Sequence, residues 1–91
     1  MATGTTNVLN TSTYSLTLTT EKRANIILTK INGQIITERV IPGSGKGIMI
    51  PNLEAGDYIL KGSSGRYKIN KIISITKDTT EMLYFGFIFG I

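Results

Sequence analysis

Ile50-Pro51-Asn52-Leu53-Glu54-Ala55-Gly56-Asp57-Tyr58-Ile59-Leu60 is the stretch on which the reading of this chain turns. It reads as the end of one strand, a compact turn and the start of the next strand. Pro51 fixes φ and lacks an N–H, which suits the end of a ladder rather than its middle. Asn52 and the Ala55-Gly56-Asp57 step carry turn chemistry, and Gly56 tolerates positive φ. Beyond the turn, Tyr58 and Leu60 point to one side of a strand and are expected to face inward, as is Leu53.

Working outward, alternation of period two dominates. Tyr14, Leu16 and Leu18 share one face and Ser15, Thr17 and Thr19 the other, the pattern of a half-buried strand. Ala24 to Ile31 follows, with Ile26 and Leu28 to one side and Ile27 to the other. Asn32-Gly33 then predicts a type I′ hairpin turn, with Gln34 to Ile41 as the returning strand. Pro42 to Gly47 reads as a flexible connection. It is not a phosphate-binding loop, which needs a Gly five residues before its Gly-Lys pair and a Ser or Thr after it. Gly47 to Ile50 and Asp57 to Lys61 are strands, and Gly62 to Gly65 is a second flexible loop. Tyr67 to Thr76 alternates again, with Tyr67, Ile69, Lys71, Ile73 and Ile75 on one face and a bulge or bend expected near Lys71-Ile72. Thr80 to Phe89 is the last strand. No window has helical spacing. Short strands separated by regular turn signals predict a single all-β, antiparallel Greek-key β-sandwich of about seven strands.

Ninety-one residues make one domain, and a chain this short buries only ~60–65% of its unfolded surface. Residues 1–13 are Thr-, Asn- and Ser-rich and predict a flexible or partner-ordered arm, with the sandwich over residues 14–91. The Asn10-Thr11-Ser12 sequon matters only in a secreted protein. The chain has no Cys and no His. This excludes disulfides, thiolate metal sites and the commonest general base. Glu54 and Asp57 lie three apart around the turn as a candidate carboxylate pair, read as turn chemistry rather than catalysis, and they are too few for calcium. No catalytic residue, cofactor or metal is therefore expected. No signal peptide or apolar run of spanning length is visible, so no membrane span is expected. Taken as a complete product, the chain is expected to stay in the compartment that made it, an expectation that fails for a piece of a secreted protein.

The net charge of +4 is a mild basic bias. Lys61, Arg66, Lys68 and Lys71 gather around the 62–65 loop as a basic contact patch. Nucleic acid is not the expected partner, because Tyr58 and Tyr67 are assigned to inward faces and offer no stacking platform. The C-terminus is more telling. Leu83, Tyr84, Phe85, Phe87, Ile88, Phe89 and Ile91 crowd apolar groups onto both faces of one strand, whereas a two-layer sandwich normally solvates one face. These residues are assigned to an assembly interface.

The order of pieces resembles the carboxypeptidase regulatory-like, or prealbumin-like, β-sandwich domains and their CnaB-type relatives. The likeness runs from Ile26-Ile27-Leu28-Thr29 through Asn32-Gly33-Gln34, Gly45-Lys46-Gly47, the Pro51 to Leu60 stretch and Gly65-Arg66-Tyr67 to Thr79-Thr80. It implies a seven-stranded Greek-key scaffold without catalysis. Many CnaB-type domains carry an internal Lys–Asn/Asp cross-link whose Asn or Asp sits in the last strand. Thr79 to Ile91 contains neither, so the bond is not expected here.

The expected function is that of a non-enzymatic bacteriophage virion component, a capsid decoration, head-fibre or tail protein assembled in the host cytoplasm. Its partners would be protein, as a homo-oligomer or a repeated lattice. The alternative is an accessory module of an extracellular cell-surface or carbohydrate-binding protein.

Overall fold

The computed structural model describes residues 12–85. The chain forms seven strands: β1 Thr13–Thr20, β2 Ala24–Lys30, β3 Ile35–Ile41, β4 Gly47–Glu54, β5 Gly56–Ser64, β6 Tyr67–Ile75 and β7 Thr79–Leu83. They make two sheets, in the orders β4-β1-β7 and β3-β2-β5-β6. All pairings are antiparallel except β1 with β7, which is parallel. No helix occurs among the described residues. The expected seven-stranded sandwich is the fold.

The core follows the alternation. Leu16 and Leu18 on β1, Ile50 and Leu53 on β4, and Leu83 on β7 meet Ile26 and Leu28 on β2. Tyr58 and Leu60 on β5 and Ile73 and Ile75 on β6 complete the layer, and all of these residues are buried. Leu53, Tyr58 and Leu60 are thus inward, as their positions around the 50–60 stretch imply. Tyr58 donates its phenolic hydrogen to the carbonyl of Glu54 at 2.6 Å. Burial pushes the Tyr58 phenol above its ordinary value, with the nearby Glu54 charge adding to the rise.

The 50–60 stretch itself is not a compact turn. β4 runs on through Glu54, and Ala55 alone separates it from β5 in the other sheet. Leu16 pairs with Ile50 and Tyr14 with Leu53, so Pro51 and Asn52 together oppose the single residue Ser15. This is a two-against-one bulge, which bends a strand and raises its twist. Asn52 sits at φ 65, a left-handed value that Asn tolerates better than most residues. Pro51 is acceptable because β4 is an edge strand, where a missing donor goes unnoticed. The bulged strand turns the corner from one sheet to the next.

The β2–β3 hairpin forms, but not with a type I′ turn. Gly33 N–H donates to the carbonyl of Lys30 at 2.9 Å, and Lys30 N–H to that of Gln34 at 2.8 Å. Asn32 does not have positive φ, whereas Gly33 lies at φ 94. The loop is a type I turn over Ile31-Asn32 followed by a left-handed glycine bulge, one residue longer than expected. The Asn32 side chain stabilises it by accepting from Gln34 N–H at 2.9 Å. Gly33→Val is expected to lower stability by about 1–2 kcal/mol, since a β-branched residue is forced to positive φ. Chemical denaturation of the purified variant measures this, and an unchanged midpoint would contradict the turn.

Three further expectations are corrected. The 42–47 connection is held rather than slack. Ser44 and Gly45 N–H groups donate to the carbonyls of Glu21 and Thr20 at 2.7 and 2.9 Å, and Lys46 N–H closes onto Gly43 at 3.1 Å. With Ser44 at φ 59 and Gly45 at φ 77, this is where the chain places its type I′ turn. Gly62-Ser63-Ser64 is the end of β5, leaving only Gly65-Arg66 as a two-residue loop. β6 keeps one unbroken register against β5 from Ser64–Tyr67 to Gly56–Ile75, so no bulge occurs at Lys71-Ile72. Lys71 keeps the inward parity, but at a sheet edge its long stem carries the ammonium out to water.

Candidate functional site

Each sheet has two edge strands, and β6 of one lies beside β7 of the other. Lys71 Nζ donates to Glu81 Oε1 at 2.9 Å and ties the two edges together. Both groups are partly exposed, so the pair contributes at most about 1 kcal/mol. It marks the open side of the sandwich. A groove there is lined by Ile69, Asn70, Met82 and Tyr84 together with the ion pair's Lys71. Met82 (45% exposed) and Tyr84 (66%) give it apolar surface, and Ile72 (65%) is exposed on the outer face of β6.

The residues assigned to assembly divide. Leu83 and Phe85 are buried in the domain's own core. The Phe85 ring lies over Gly62, where an added Cβ would stand 2.9 Å from its Cζ. Tyr84 alone of the described trio faces solvent. Phe87, Ile88, Phe89 and Ile91 lie outside the described residues, as does most of the arm 1–13; β1 already begins at Thr13. The apolar character of Leu83 and Phe85 therefore reflects this domain's own packing. Met82 shares the exposed face with Tyr84, as the alternation of the terminal stretch implies, and Ile72 is a further exposed apolar residue, visible in the sequence as a break in the β6 alternation.

The basic patch also divides. Lys61 on β5 and Lys68 on β6 point outward from the four-stranded sheet. Lys71 has the opposite parity and is engaged with Glu81. Arg66 sits in the hairpin loop with its guanidinium 6.0 Å from the Tyr67 ring centroid. Tyr67 keeps the inward parity of β6 but is 39% exposed at the end of the β5–β6 hairpin, so its expected burial fails. Tyr58 is inward as expected.

Glu54 and Asp57 do not converge. Asp57 accepts a hydrogen bond from the Ser74 hydroxyl at 2.7 Å, its direct cross-strand partner. Glu54 contributes its backbone carbonyl to Tyr58 and leaves its side chain in solvent. Asp57 is thus satisfied across the strand pair rather than by its own backbone. Among the described residues, no group of three acidic side chains is placed to hold a metal. No helix there is long and apolar enough to cross a membrane. No protein-family model matches the chain, and no curated protein matches it either.

Proposed function

We propose that this protein is a non-enzymatic structural component of a bacteriophage virion that works by assembling with copies of itself or onto a repeated lattice. One observation carries the assembly reading. At the β6/β7 side, two edge strands adjoin and Met82 and Tyr84 present apolar surface in the groove between them, with Ile72 also exposed on β6. Edge strands offer unpaired N–H and C=O groups to another chain, and exposed apolar surface rimmed by polar residues is the usual mark of a protein interface.

The resemblance to prealbumin-like domains supports a scaffold whose function lies on its surface. The virion setting rests on the combination of a small sandwich with a Thr-rich stretch of sequence before it and an apolar stretch after it. Capsid decoration, head-fibre and tail positions all fit that combination, with assembly in the host cytoplasm.

Sedimentation tests the reading. Burying two or three such side chains contributes on the order of 5 kcal/mol before association costs, enough to hold a specific contact. The wild type is expected to form a defined oligomer. Ile72→Asp with Tyr84→Asp should stay folded, because both side chains are exposed, and should sediment as a monomer. Phe87→Asp with Phe89→Asp extends the test to residues outside those described. A wild type that remains monomeric at every concentration, alone and with virion shells, would remove the basis for the proposal.

A further inference from the structure

The outer face of the four-stranded sheet carries a polar grid over three strands. The register aligns Asn25 on β2 with Ser63 on β5 and Lys68 on β6. The next outward row aligns Ile27, Lys61 and Asn70. An open hollow of about 420 Å³ lies over these six side chains.

Lys61 and Lys68 are diagonal neighbours, so their Cα atoms stand ~7–8 Å apart. Two like charges at that spacing repel, yet neither lysine has a carboxylate within ion-pair distance among the described residues. Glu38 shares the row of Lys61 but stands two strands away, across Ile27. The side chains of Asn25 and Asn70 make no hydrogen bond to other described groups, and they leave amide donors and acceptors facing the hollow. Ile27, half-buried, forms an apolar patch of floor.

We propose that this hollow binds an acidic saccharide. Its anionic group would lie between the two ammonium groups, its hydroxyls on the carboxamides and the Ser63 hydroxyl, and the C–H face of a sugar ring on Ile27. Each element of the grid then has a use. An anion relieves the lysine repulsion, carboxamides match the mixed donor and acceptor character of sugar hydroxyls, and an aliphatic floor, to which Ile69 also contributes, suits a ring without a π-face. A nucleic-acid strand fits less well, because no aromatic side chain lines the hollow to stack a base. The inference does not rest on self-assembly, although Asn70 lines both this hollow and the β6/β7 groove.

Calorimetric titration with a trigalacturonate oligosaccharide, and with an uncharged trisaccharide as reference, tests it. The acidic sugar is expected to bind at low ionic strength and the neutral one at least about tenfold more weakly, the worth of a charge-assisted contact. Lys61→Gln with Lys68→Gln should abolish binding. Lys22→Gln with Lys46→Gln, which removes the same charge from exposed lysines elsewhere, should change it by less than about twofold. Asn70→Ala should weaken the acidic sugar while leaving the fold intact by circular dichroism. Absence of binding to the acidic sugar overturns the proposal. So does equal loss in the two double variants, or tighter binding of a single-stranded oligonucleotide or a polyglutamate peptide than of the sugar.

Discussion

Leu60→Ala should destabilise the domain by roughly 2–5 kcal/mol, the range for removing a large aliphatic side chain from a packed core. Leu60 is fully buried and lies opposite Leu28, itself fully buried, in the β2–β5 ladder. Tyr58 precedes it on the same inward face, and Gly62 follows beneath the Phe85 ring. The β3-β2-β5-β6 order makes β5 an interior strand, so no edge is free to collapse into the space left behind. A domain of this size holds only about 5–14 kcal/mol in total, so the variant stands near the limit of folding. Urea denaturation checks this, with a midpoint shifted by a large fraction of the wild-type value. In a thermal scan the same loss amounts to a fall of at least about 8 °C. A loss below ~1 kcal/mol would mean that Leu60 is not in the core.

Gly43→Ala should cost a similar amount, roughly 2–5 kcal/mol, although it adds one methyl group to a loop. Gly43 lies at φ 91, and a Cβ built there would stand 2.6 Å from Arg23 N and 2.8 Å from the Lys22 carbonyl carbon. Both obstacles are backbone, so no rotamer change relieves them. Moving the loop instead would break the bonds from Ser44 and Gly45 to Glu21 and Thr20. Gly45→Ala is the matched control. It has positive φ, 77, but nothing within 4 Å of its added Cβ. Its cost should therefore be the left-handed backbone term alone, about 1–2 kcal/mol. A Gly43 variant no less stable than the Gly45 variant would show that the loop does not pack against residues 21–23.

These two sites illustrate what a linear reading reaches. Leu60 was legible because a strand writes its burial at period two, and Tyr58 and Leu60 sit in phase. The tight packing of Gly43 was not. Gly-Ser-Gly is compatible with a slack linker and with a docked turn, and the difference lies in carbonyls more than twenty residues earlier. The same ambiguity applies at Asn32-Gly33. The dipeptide suits two hairpin loops, and the choice was made by where Lys30 and Gln34 found their partners.

The candidate surfaces divide in the same way. Lys61, Arg66, Lys68 and Lys71 are close in sequence, but parity separates Lys71 from Lys61 and Lys68, and Glu81 on the other sheet engages it. Asn25 and Ile27 join Lys61 and Lys68 only through the β2–β5 pairing, which spans more than thirty residues.

By itself the sequence determined the all-β class, a count of about seven strands, the inward residues around Tyr58 and Leu60 and the want of His and Cys, because alternation and composition are local properties. Tertiary structure alone decided that Pro51-Asn52 is a bulge at a sheet corner rather than a turn, since that depends on Ser15 lying opposite. It also decided that Leu83 and Phe85 serve this domain's own core while Ile72, Met82 and Tyr84 face solvent. Which of two apolar faces is covered depends on what packs against it, and that is a property of the whole fold.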